Sequence, residues 1–132
     1  MLKRSVVAAS AVSSPNSAEG VLLTIPAVPL PNDPSGLLVT HSLVDGFINF
    51  TAGAGTTAVV LRVRRGTLAG ALVGVAQTHT LAAAAIASIA FSADDPASAN
   101  PALGQVYVVT IQQTGGSGAG TMNYGVATAT IS

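Results

Sequence analysis

The stretch TTAVVLRVRRGTLAG, Thr56 to Gly70, carries three of the chain's five basic residues, at Arg62, Arg64 and Arg65. A guanidinium is planar and presents a fork of donors, so it meets a carboxylate through two parallel hydrogen bonds. That chemistry suits ion pairs at interfaces. Arg62 and Arg64 are two apart, so on a strand they share one face, while Arg65 points the other way or sits at the following turn. The densest acidic cluster is Asp94-Asp95. The expectation is that Arg62 or Arg64 pairs with an acid of a neighbouring subunit or a larger partner. Solvated arginines on an exposed sheet face are the plainer alternative.

No other constellation supports a reaction. Asp94 and Asp95 are sequence neighbours, whereas a glycosidase pair faces across a substrate at roughly 5–10 Å. A calcium site needs more oxygen ligands than they supply, and a solvated turn is the favoured reading. The only histidines, His41 and His79, fall short of the three protein ligands of a catalytic zinc. Neither has an orienting partner nearby in sequence, so both read as strand residues on an outer or interface face. TGGSGAGT, Thr114 to Thr121, resembles a phosphate loop only in its glycines. It lacks the lysine and the following helix that such a loop needs, and reads as a hairpin loop. Asn49-Phe50-Thr51 matches a glycosylation sequon but falls on an expected strand and is given no role. These readings imply no enzyme, no cofactor and no metal site.

Composition sets the class. The chain has 132 residues and no cysteine, with five acids balancing five bases. The length suits one domain with its own core. Charged residues make up 8%, against about 25% in an average soluble domain. A free monomer with so little charge is poorly protected against association. The surface therefore reads as small neutral groups that pack well against another protein. Zero net charge and few aromatics argue against nucleic-acid binding. No stretch reaches the roughly 20 apolar residues of a membrane span. The opening MLKRSVVAASAV mimics a weak signal peptide, but its serines break the apolar run and a first strand is preferred.

The elements that must position the arginines read as strands throughout. Candidates are Val6 to Val12, Leu37 to Leu43, Gly46 to Thr51, Thr57 to Arg65, Ala71 to Thr80, Ile86 to Ser92, Gln105 to Gln113 and Thr121 to Ile131. Asp45-Gly46 is a possible turn, or the two segments flanking it are one bent strand. Alanine-rich Leu81 to Ala90 could hold a helical turn. Ala93 to Gly104 is an expected loop. Between Thr57 and Arg65 the period is two, with Val59, Leu61 and Val63 on one face and Val60, Arg62 and Arg64 on the other. The segment GVLLTIPAVPLPNDPSG holds Pro26, Pro29, Pro31 and Pro34, each lacking a backbone donor, so it is neither a central strand nor a helix. It is expected to be an extended arm lying on its own domain or on a neighbour. The predicted fold is therefore an all-β, antiparallel β-sandwich of about eight strands, jelly-roll-like, with an extended N-terminal proline-rich arm. Residues 1–36 form the first strand and arm, and residues 37–132 the sandwich. The candidate interface residues are Arg62, Arg64, Arg65, Asp94, Asp95, Pro26, Pro29 and Pro31.

DGFINFTAGAGTTAVVLRVRRGTLAGALVG, IAFSADDP and GQVYVVTIQQTGGSG together resemble β-sandwich modules of tailed-bacteriophage structural proteins, such as capsid decoration proteins and fibre or tail modules. The likeness spans roughly Asp45 to Gly118 and leaves the proline-rich segment outside. It implies a jelly-roll-like homotrimer attached to a capsid surface beside a major capsid protein, and no catalytic residues. Two alternatives stand beside this one. One is a fibre or tail module that binds a receptor or carbohydrate, which requires clustered exposed aromatics, with Tyr107, Tyr124 and Phe47 as candidates. The other is a secreted or surface-layer adhesion module.

Overall fold

Burial alternates along nearly every apolar run, and that alternation builds the molecule. A computed structural model of the chain describes residues 3–27, 42–95, 106–115 and 118–131. They form eight strands: β1 (Lys3–Ser14), β2 (Glu19–Ile25), β3 (Ser42–Thr51), β4 (Ala58–Arg65), β5 (Leu72–Thr80), β6 (Ile86–Asp95), β7 (Tyr107–Thr114) and β8 (Gly120–Ile131). One sheet has the order β1-β8-β3-β6 and the other β2-β7-β4-β5. Antiparallel pairing joins β1 to β8, β2 to β7, β3 to β6 and β4 to β5. This is one long hairpin rolled into two layers, the jelly-roll arrangement.

The two inner faces supply the core. From the first sheet come Val44, Ile48, Phe50, Ile89, Phe91, Met122, Ala127 and Ala129. From the second come Leu23, Ile25, Val59, Leu61, Val63, Tyr107, Val109 and Ile111. Each large apolar side chain removed from water contributes about 1.5–3 kcal/mol before ordering costs. The inward set of β4 is the one its sequence period predicts.

Several segments differ from the sequence expectation. Glu19 to Ile25 is a strand, where the sequence suggested the start of an extended arm. Its prolines begin only at Pro26, so all its amides can donate, and β2 lies at a sheet edge. β1 and β2, from the segment set apart as residues 1–36, are integral strands of the two sheets. The remainder of the expected arm, 28–36, with Pro29 and Pro31, and most of the expected strand Leu37 to Leu43, with His41, lie outside the described residues. The loop residues 96–105 and the glycine-loop positions 116–117 do too. Asp45-Gly46 makes no turn, because β3 runs straight through it, paired on both sides. Gly46 fits there because a Cβ would collide with the carbonyl oxygen of Val126. No helical turn forms at 81–90; a short turn leads into β6 instead. β6 also continues through Asp94 and Asp95, which sequence reasoning placed in a loop.

Candidate interaction surface

Two buried polar clusters close the two ends of the sandwich. At one end the Gln113 side chain, itself buried, accepts the Gly53 amide and the Thr56 hydroxyl at 2.8 Å each through Oε1. At the other end lies Asp95, with no exposure. The Arg65 guanidinium grips it through both Nε, 3.0 Å from Oδ2, and Nη2, which donates to Oδ1. The Tyr107 hydroxyl donates to Oδ2 at 2.7 Å. Burial pushes the Tyr107 hydroxyl far up; a hydrogen bond with Ser42 opposes it, and this bond to a carboxylate adds to the rise. Tyr107 is thus a neutral donor inside the fold, and the cluster is an anchor.

Arg62 and Arg64 project from the outer face of the second sheet, as their spacing requires. Register places Thr110 opposite Arg62 on β7 and Glu19 opposite Gln112 on β2. The Glu19 carboxylate receives Arg64 Nε at 2.6 Å and Nη2 at 2.8 Å, Arg62 Nη1 at 3.2 Å and the Thr110 hydroxyl at 2.6 Å. Arg62 also donates to Gln112 Oε1 at 2.9 Å, and Arg64 to the Gly70 carbonyl at 3.1 Å. The Arg64 bonds hold the Glu19 carboxyl below its ordinary range, against the opposing effect of its partial burial. The reciprocal bond raises Arg64.

The arginines therefore find their acids within the chain. Arg62 and Arg64 share Glu19, and Arg65 takes Asp95 on the opposite side of the strand. Asp94 is exposed on the outer face of the first sheet, while Asp95 points inward and is no solvated turn residue. Pro26 is exposed immediately after β2. Glu19 escaped sequence reasoning although it is the chain's sole glutamate. A lone acid just ahead of the expected arm carries no signal until β2 is recognised as a strand. His79 sits in an inward register position opposite Val59, and its Nε2 is buried without a hydrogen-bond partner. It is no outer-face residue. No acid or nucleophile is hydrogen-bonded to that nitrogen. Among the described residues no group of three His, Asp or Glu stands close enough to hold a metal.

The outer face of the first sheet is different in kind. Val6, Leu43, Phe47 and Tyr124 all stand exposed on it. The Phe47 and Tyr124 rings meet edge to face, with centroids 6.1 Å apart at 78°. Beside them Asn123 donates to Asn49 and Thr51 at 2.8 Å each, and Asn49 to Ser88 at 3.2 Å. A shallow groove of about 510 Å³ runs from Asp45 and Phe47 over Ala90 and Ser92 to Gln77. Tyr107, the third aromatic candidate, is buried.

No family model matches the chain, and no curated protein matches it. Solved structures do. VP2 in a subviral particle of infectious bursal disease virus aligns over 98% of this chain at TM-score 0.59 and 12% identity. Derived T=1 particles of the same virus align over 98% at TM-score 0.56 and 13% identity. The Gx strain of that virus aligns over 98% at TM-score 0.55 and 12% identity. The chain spans about a third of those proteins, 32%, 35% and 32% of their respective lengths. At such identity the likeness is one of fold: this chain folds like a jelly-roll module of a viral capsid protein.

Proposed function

We propose that the chain is a non-enzymatic structural subunit of a virus particle. In the finer form of this reading it is a decoration or cement protein on the capsid surface of a tailed bacteriophage. It self-associates, as a homotrimer, and seats on the major capsid protein. The observation that carries the reading is the jelly roll itself, aligned along nearly the whole chain with a capsid protein's module. The interior supports it. The arginines of β4 are engaged by Glu19 and Asp95 of the same chain, which leaves the outer face of the first sheet, with exposed Val6, Leu43, Phe47 and Tyr124, to make contacts. Such a face binds by burying area, at roughly 25 cal/mol per Å² before ordering costs. Many weak contacts on one particle then add through multivalency.

The test is co-sedimentation of the purified chain with shells assembled from the major capsid protein of the same virus. Saturable binding at a fixed ratio to shell subunits, and a higher melting temperature of the decorated shell, are expected. Shells that sediment bare at micromolar chain concentration would overturn the reading.

A second reading, a fibre or tail module that binds carbohydrate, draws on the exposed Phe47 and Tyr124 rings. Aromatic faces stack on sugar rings. It predicts a glycan hit that disappears in Phe47→Ala.

A further inference from the structure

The two outer faces of the sandwich are finished differently. On the second sheet Arg62, Arg64 and Glu19 lie together, and Val108 and Thr110 beneath them are buried although they face outward. On the first sheet the described residues form no such cover. Val6 is 59% exposed, Tyr124 48%, Phe47 42% and Leu43 39%. The charged residues at outward positions of its four strands are Arg4, Asp45 and Asp94. Strand register sorts this face into four rows that cross β1, β8, β3 and β6 in turn. They read Arg4-Thr130-Leu43-Asp94, Val6-Thr128-Asp45-Ser92, Ala8-Val126-Phe47-Ala90 and Ser10-Tyr124-Asn49-Ser88.

The rows are nearly palindromic in chemistry. A twofold axis parallel to the strands, midway between β8 and β3, exchanges β1 with β6 and β8 with β3. Laid on itself in that way, the face sets Arg4 of one copy over Asp94 of the other, twice. Phe47 falls on Val126, Ala8 on Ala90 and Ser10 on Ser88, whereas Val6 falls on Ser92 and Leu43 on Thr130, the two unmatched pairs. Tyr124, with a hydroxyl, falls on Asn49, and the Asp45 carboxylate on the Thr128 hydroxyl. Arg4 and Asp94 stand at opposite edges of one sheet, three strand spacings or about 14 Å apart, so they complement each other between copies rather than within one.

We infer that the outer face of the β1-β8-β3-β6 sheet is an isologous interface, and that its occupant is the same face of a second copy. The inference rests on the reading of the chain as a self-associating shell subunit and names the face used. Four strands of about ten residues present roughly 600 Å² per copy, so about 1,200 Å² in all, the lower bound of a standard stable interface. Aligned sheets accept such stacking at about 30° between strand directions, and the reach of arginine spans the resulting offset at the edges. An isologous contact closes at two copies. It is therefore distinct from a threefold contact: alone it yields a dimer, and with a trimer it yields a hexamer.

The experiment is sedimentation velocity across a concentration series at low salt, with circular dichroism to confirm folding of every variant. The probes are Phe47→Glu, Arg4→Asp, Asp94→Arg and the double exchange Arg4→Asp/Asp94→Arg. Phe47→Glu is expected to halve the mass of the largest species. Each single charge reversal is expected to weaken association at least tenfold, since it spoils two symmetric pairs, and the double exchange to restore it to within about threefold. A mass unchanged by Phe47→Glu, or a double exchange no better than the single reversals, overturns the inference. A trimer indifferent to all four variants overturns it while leaving the shell-subunit reading intact. Paired faces that respond as expected in a chain that ignores every shell support the interface and sink only the shell. A glycan hit lost in Phe47→Glu, with the mass unchanged, assigns the face to carbohydrate and overturns the inference.

Discussion

Glu19 holds two arginines and a threonine hydroxyl on one carboxylate, so its charge is part of the fold. Its carboxyl titrates below its ordinary value of 4.5. A depressed acid contributes stability that is fully present above the unfolded value and is lost as pH falls through the folded one. Glu19→Gln keeps the shape and removes the charge. It should cost about 1.5–3 kcal/mol at neutral pH, and the gap to the parent should shrink below pH 4.5 in urea denaturation. A gap that persists unchanged at pH 3 would show that the charge is not the cause. At the Asp95 end of the sandwich the ion pair is unequal. Asp95 is fully buried, whereas 30% of the Arg65 side chain meets water. Arg65→Ala takes the guanidinium from a carboxylate that water cannot reach, and should cost about 3 kcal/mol or more. Asp95→Ala leaves an arginine that can turn to solvent and a tyrosine still facing Ser42, so its cost should be smaller. Equal losses in thermal denaturation would refute that asymmetry.

The strands show how far local pattern reaches. β4 was legible down to the direction of each side chain, because Val59, Leu61 and Val63 alternate with Val60, Arg62 and Arg64 on a strand that one sheet face buries. β2 was hidden, because the prolines that follow it colour the whole segment, although they begin only after its last ladder position. β6 was cut short for a similar reason: Asp94-Asp95-Pro96 has the composition of a turn, and only the third dimension turns Asp95 inward. The partners were illegible altogether. Arg62 and Glu19 lie 43 residues apart, and Arg65 and Asp95 lie 30 apart, distances over which periodicity carries no information. Phe47 and Tyr124 were named singly as candidate exposed aromatics, and only the β3-β8 register turns both outward and brings their rings together. That register gives Gly46 a testable role. It lies between β8 and β6, and a Cβ there would strike the backbone of β8. A backbone oxygen cannot swing aside as a side chain can, so Gly46→Ala should cost about 1–3 kcal/mol through overpacking. An unchanged denaturation midpoint would mean that β3 does not sit where the ladder places it.

At the scale of the whole molecule, the rolled hairpin makes the strands unequal in a way that sequence order does not suggest. β8 is the last strand in the chain but lies inside its sheet, paired with β1 on one side and β3 on the other. β1 is the first strand, lies at the edge, and its only ladder is to β8. Removing β1 exposes one new edge and uncovers the flanks of Met122 and Ala127. Removing β8 takes Met122, Ala127 and Ala129 out of the core, leaves β1 without its ladder and turns β3 into an edge strand. A chain lacking residues 1–16 should therefore keep a cooperative, weakened thermal transition, whereas one ending at residue 118 should lose it together with its near-ultraviolet dichroism. The same topology sets the folding rate. The first sheet cannot close until residues near position 3 meet those near position 131, and such non-local pairing places refolding in the millisecond-to-second range typical of β-sandwiches. Stopped-flow refolding of the full chain should fall in that range, and removing β1 should speed it by eliminating the longest loop closure. A full chain that refolds within microseconds would contradict the ladder between the first and last strands, and with it the sheet whose outer face is assigned to a second copy.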